Sequence, residues 1–147
     1  MSVPIAIHAS RNFRRRTVSN GAVRGLENYY ALTHGERPAW WEGAKGCVPD
    51  DAVGVLENCF GDPRDALVIC ESGLVVIGSD GRPRQFVAFS EMRRVDLPSK
   101  DPVSRSLILH MQDGQTREVP AYLPEGLSFS LYRFLLSAKS THVVHRE

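Results

Sequence analysis

Over residues 66–121 the chain is a succession of short apolar runs separated by Glu71-Ser72-Gly73, Ser79-Asp80-Gly81 and Gln112-Asp113-Gly114, and it closes with one segment of helical periodicity. No other feature narrows the fold as much. Short runs broken by Gly- and Asp-containing turns specify antiparallel strands, and a single amphipathic helix after them requires an open sheet face to cover. The expected class is α+β: a bent antiparallel sheet or partly open roll capped by a C-terminal helix, with helices ahead of it. At 147 residues and 42% hydrophobic content, the chain has room for one well-buried core and not for two ordinary domains. The expected organisation is a basic arm and helical extension over 1–63, packed on the same domain as a roll over 64–141, with a tail over 142–147.

Within the roll, residues 66–70 and 74–77 form continuous apolar runs around Glu71-Ser72-Gly73, which reads as a tight hairpin buried on both sides. Strands are expected next over 84–89 and 92–97, with Val95 and Leu97 on one face and Phe89-Ser90-Glu91 as a one-turn corner. Residues 105–111 and 115–121 alternate around Asp113-Gly114, the strongest hairpin signal here because a primed turn demands positive φ at its centre. Six strands are counted in this way. Leu127, Leu131, Phe134, Leu135 and Ala138 then form a helical stripe.

The first part reads as helical and irregular. Ala22, Leu26, Tyr29, Tyr30 and Thr33 share a helical face that begins at Asn20 or Gly21 and stops at His34-Gly35. Residues 36–46, with Pro38, two glycines and Trp40-Trp41, read as a loop. Pro49-Asp50-Asp51 resembles a helix start, followed by Ala52, Val53, Leu56, Cys59 and Phe60 at helical spacing and ended by Gly61-Asp62-Pro63.

Net charge is +1, so electrostatics does not globally favour nucleic acid, an anionic membrane or an acidic substrate. Its distribution is uneven. Residues 1–26 carry Arg11, Arg14, Arg15, Arg16 and Arg24 with no acid, whereas the remainder has 13 Lys and Arg against 17 Asp and Glu. Such an arm can contact phosphates or an acidic partner, or be a solvated segment docking on its own domain. The second reading is preferred, because no aromatic interleaving accompanies the arginines. An Arg-rich, acid-poor start also fits a transit peptide, against which the presence of Met1 is weighed; the 3–7 run is too short for a secretory signal, and no 18-residue apolar run offers a transmembrane helix. Cys47, Cys59 and Cys70, at spacings of 12 and 11, match no metal or disulfide framework. Cys59 and Cys70 are expected as buried reduced thiols, which suits a cytoplasmic location.

The run Leu67-Val-Ile-Cys-Glu-Ser-Gly-Leu-Val-Val-Ile77, followed by Phe86-Val-Ala-Phe-Ser-Glu-Met-Arg-Arg-Val95, resembles bacterial pleckstrin-homology-like domains over about residues 66–140. The resemblance implies a strongly bent sheet plugged by a C-terminal helix. It also implies one strand more than the six counted, to be sought over 98–104 unless the roll is a reduced or distinct one. It implies binding of phosphoinositides, peptides or proteins rather than catalysis. Lipid-binding members carry basic residues around the first hairpin loop. Here that loop, Glu71-Ser72-Gly73, is acidic, which favours a protein or peptide partner.

No Gly-x-Ser-x-Gly, phosphate-binding loop or dinucleotide fingerprint occurs. His142 and His145 lack a third ligand at motif spacing and read as tail residues, His110 reads as a partly exposed sheet histidine, and a Cys47 nucleophile lacks any local base. No cofactor, metal site or catalytic residue is assigned. Adjacent tryptophans point to opposite sides of an extended loop, so Trp40 and Trp41 are binding candidates, set against the preferred reading that both pack inside. Arg14, Arg15 and Arg16, and Arg82 and Arg84 flanking Pro83, complete the candidate set, although a solvated turn is the preferred reading of the last two. The expected function is a non-enzymatic protein-protein interaction module, an adaptor or immunity-type partner. The alternatives are an anionic lipid-headgroup or nucleic-acid binder acting through the basic arm, and a small cysteine-dependent enzyme.

Overall fold

The computed structural model describes residues 3–13, 16–17, 23–24 and 28–144. Two open antiparallel sheets and a C-terminal helix build the α+β fold. The first sheet has the order β3 (Tyr29–Ala31), β4 (Ala52–Leu56), β5 (Leu67–Cys70), β6 (Gly73–Ile77) and β7 (Pro83–Ala88). The second has the order β10 (Thr116–Pro120), β9 (Ser106–Met111) and β8 (Met92–Val95). A short helix α1 (Ile5–Phe13) begins the chain, β1 (Arg16–Thr17) and β2 (Val23–Arg24) pair with each other, a single turn α2 (Trp41–Ala44) lies between β3 and β4, and α3 (Leu127–Val144) ends it.

The second half follows its sequence signals. Every residue of β5 and β6 is buried, because one sheet face packs on the helices and the other is covered as well. The 3-10 turn Phe89–Glu91 makes the corner between the sheets. Gly114, at φ +88°, closes the β9–β10 hairpin. Leu127, Leu131, Phe134, Leu135 and Ala138 of α3 are all 1% exposed or less, and each of the larger ones contributes roughly 1.5–3 kcal/mol by burial. Phe134 is the hub: its ring lies 5.2 Å from Phe13 of α1 and 5.9 Å from Phe89 of the corner, and Phe13 is in turn 5.5 Å from Tyr29.

The first half departs from expectation. Residues 52–56 are a central strand, not a helix, paired with β3 on one side and β5 on the other. A bulge at Ala52/Gly54 shifts the phase, so Val53 and Leu56 enter the main core while Val55 faces the other way. Apolar residues on both faces imitate helical spacing over so short a run, whereas Val-Gly-Val resists helix. Pro49-Asp50-Asp51 belongs to the loop that enters β4, where the Asp51 carboxylate accepts the Ser72 N–H at 2.9 Å and its hydroxyl at 2.7 Å. Gly61 (φ +72°) turns the chain between Cys59 and Asp62.

Of the helix expected from Asn20 or Gly21 to His34-Gly35, residues 20–22 and 25–27 lie outside the described residues, Val23–Arg24 is β2, and the rest is β3 and a 3-10 turn Leu32–His34, ended by Gly35 at φ +80°. The strands beyond six are β1 to β4; residues 98–104 hold only the bridge Lys100–Val103. Leu97 is 72% exposed, not paired with Val95 on the inner face. Phe60 is 59% exposed and Cys59 half-buried, so of the two thiols expected inside only Cys70 is fully enclosed. Helix α3 runs to Val144, past the expected start of the tail, and residues 145–147 lie outside the described residues.

Two buried asparagines pin the sheets together. Asn58 donates to the carbonyls of Asp65 and Pro120 and accepts the Tyr122 N–H at 2.8 Å, while Asn28 donates to the carbonyls of Glu57 and Leu123. Tyr122 donates its hydroxyl to Asp65 at 2.8 Å and lies under the Arg105 guanidinium, 5.0 Å from the ring centre. Burial raises the Tyr122 hydroxyl, with Cys59 and Asp65 adding to the shift.

Candidate functional site

The outer face of the five-stranded sheet, opposite α1 and α3, is an apolar floor of Val55, Val68, Cys70, Val75 and Ile77. Residues 32–50 fold across it and lay Leu32 and Trp41 on that floor, with Tyr30, Trp40 and Val48 at its border. Trp41 is 7% exposed; Trp40 is half-buried, its ring centre 6.3 Å away and tilted by 59°.

One buried carboxylate fastens this cover. Glu57, fully enclosed, accepts the Trp40 indole N–H at 2.6 Å on one oxygen, and the Tyr30 hydroxyl at 3.0 Å and the Gly61 N–H at 3.1 Å on the other. Three donors satisfy a charge that would otherwise be costly to bury. Burial, reinforced by the hydrogen bond to Glu57, raises the Tyr30 hydroxyl above its usual range.

The cover closes over this floor, whose five residues are at most 2% exposed, and two clefts indent it and its border with β7. A cleft of about 440 Å³ lies beside Leu32 and Trp41, with Arg37, Lys45 and Asp50 on its walls. A second, of about 350 Å³, lies over Val75 and Pro83, walled by Cys47, Arg84 and Phe86. Pro49 borders both. Phe86 stands opposite Val75 across the β6–β7 ladder and is 45% exposed. The cations are lightly held: Lys45 reaches Glu42 at 2.8 Å and keeps its carboxyl below the usual range, Arg84 approaches Asp80 only to 4.0 Å, and Arg37 donates to the carbonyls of Leu32 and Glu36 at 2.9 and 2.8 Å.

Of the residues picked out in the sequence, Trp41 and Arg84 therefore come to adjoining clefts. Trp40 anchors the cover. Arg82 is exposed, its N–H closing the turn onto Asp80 at 3.0 Å. Arg14 and Arg15 lie outside the described residues, as does the side chain of Arg16, whose backbone belongs to β1. The 36–46 loop contains the α2 turn, which sets Trp41 onto the sheet. Glu57, Arg37, Lys45 and Phe86 were not singled out. Glu57 fell in a stretch with a helical reading, and no local pattern marks a carboxylate whose partners lie 4 to 27 positions away.

The acidic hairpin loop has an internal use. Glu71 accepts the backbone N–H groups of Ile5 at 3.1 Å and Ala6 at 3.4 Å, capping α1. His110 Nε2 lies 2.9 Å from Asp96 and 3.1 Å from Arg94 on the half-exposed face of the second sheet. Cys47 is exposed, and among the described residues no histidine or carboxylate is hydrogen-bonded to it. Among the described residues no group of three or more His, Cys, Asp or Glu could hold a metal ion, and no helix is long and apolar enough to cross a membrane.

The chain matches no protein-family model, no curated protein and no solved structure.

Proposed function

We propose that this protein is a non-enzymatic protein-binding module, an adaptor or an immunity-type partner, built on a pleckstrin-homology-like scaffold. The observation that supports this reading best is the indented surface of the cover: two adjoining concavities lined in part by apolar side chains, an exposed Phe86 at the lip and exposed cations around them. Aromatic and arginine side chains at the rim of an apolar depression are the composition that concentrates binding energy in protein interfaces. The first hairpin loop has no Lys or Arg and its Glu71 is engaged by α1, which favours a protein partner over a phosphate.

The test is affinity capture of the full-length tagged chain from lysate of its source cells at low and high salt, beside a chain lacking the first 18 residues. A protein recovered at high salt supports the proposal. Recovery of lipid or nucleic acid that disappears with salt and with the truncation would instead support anion binding through Arg14, Arg15 and Arg16.

A further inference from the structure

We infer that the two clefts together receive one extended segment of a partner protein, in which an acidic residue lies between two apolar side chains. The inference rests on the protein-binding reading above and specifies its partner.

Adjacency comes first. Gly46 borders one cleft and Cys47 the other, and Pro49 borders both, so one continuous segment can use the two depressions in succession. Each depression offers an apolar anchor, Trp41 in the first and Phe86 in the second. Volumes of about 440 and 350 Å³ fall in the range of small binding pockets.

Charge chooses the occupant. Arg37, Lys45 and Arg84 border the clefts against the single acid Asp50, on a body in which acids outnumber bases beyond residue 26. The present partners of Lys45 and Arg84, Glu42 and Asp80, are exposed, and such pairs are worth little, so an incoming carboxylate can replace them. A polyanion would require many more cations to gain by counterion release, and a lipid surface would meet a concavity rather than a protruding face.

A random peptide library displayed on phage and selected on the full-length protein tests this. Selected sequences are expected to carry Asp or Glu flanked by aromatic or aliphatic residues. Synthetic versions should lose roughly tenfold or more in affinity to Arg84→Glu and to Phe86→Ala, and Arg84→Glu should recover binding when the peptide acid becomes Lys. Both side chains are exposed, and unchanged thermal melting verifies that the variants fold. Absence of enrichment, enrichment of basic or uncharged sequences, or indifference to both substitutions overturns the inference. If capture still recovers a protein partner that ignores Arg84→Glu, the cleft assignment fails and the binding function stands; if capture also fails, the function falls with it.

Discussion

The indole N–H of Trp40 donates to the buried carboxylate of Glu57 at 2.6 Å, joining the segment that covers the outer face to the end of a central strand 17 positions later. A glutamine at 57 must turn its amide toward a donor, either Trp40 or Gly61. Glu57→Gln is therefore expected to cost about 1–3 kcal/mol, and Trp40→Phe, which leaves a buried oxygen short of a partner, a similar amount. The double variant should cost less than the sum, because the donor–donor clash vanishes with the indole. Urea denaturation of all four proteins measures this; strict additivity would mean that the pair is not coupled.

Glu71 stands on the tip of the first hairpin yet serves a helix at the other end of the chain. Glu71→Ala removes the cap from Ile5 and Ala6, with an expected loss of about 0.5–2 kcal/mol. Amide hydrogen exchange should quicken first in α1 and leave β5 and β6 protected. Uniform acceleration throughout both sheets would contradict this local role.

His8 ties α1 to α3 through the Thr141 hydroxyl, 3.1 Å from its Nε2. Burial, then the nearby Arg11, pulls its pKa below the ordinary 6.5, against a smaller upward pull from Glu71. The unfolded chain then holds the proton more tightly, so this contribution to stability is complete above about pH 6.5 and is lost as the pH falls through the folded value. Melting temperature should drop more between pH 7.5 and 5 in the parent than in His8→Gln. Parallel curves would remove His8 from the pH response.

The three thiols should separate by reactivity. Cys70 is fully enclosed, and burial, with Asp51 adding to it, pushes it up to about 12, whereas Cys47 is exposed at the lip of a cleft. Iodoacetamide at pH 8, followed by peptide mass mapping, should mark Cys47 first and Cys70 only when the protein unfolds. Early labelling of Cys70 would mean that the β4–β5 pair opens readily.

A Cβ at Gly54 would run into the ring of Tyr29, which crosses the strand there and packs on Phe13. Gly54→Ala should cost roughly 1–3 kcal/mol, read as a lowered denaturation midpoint. An unchanged midpoint would show that Tyr29 can move aside.

The contrast between Asp113-Gly114 and Gly54 shows how far sequence carries in this fold. The first is a local instruction: a turn dictates its own residues, so the β9–β10 hairpin is legible, as is the α3 stripe, where one face must meet apolar surface. Gly54 obeys a neighbour 25 positions earlier, and the strand around it is buried on both faces, which erases the alternation that would identify it. The same distinction governs the candidate site. Trp41 and Arg84 stand out by residue type, but Glu57 and Phe86 matter through what the fold places beside them.

Phe13, the last residue of α1, is wedged between Tyr29 and Phe134 on the inner side of the five-stranded sheet, while both clefts open on the outer side. Helix α1 is thus anchored across a sheet from the proposed groove, and an occupant of the clefts leaves its packing untouched. A segment that seats one apolar side chain in each cleft binds bivalently, and the second grip multiplies the first through effective concentration rather than adding a contact to it. Two modest affinities could then yield durable attachment, and either could be weakened alone to tune it.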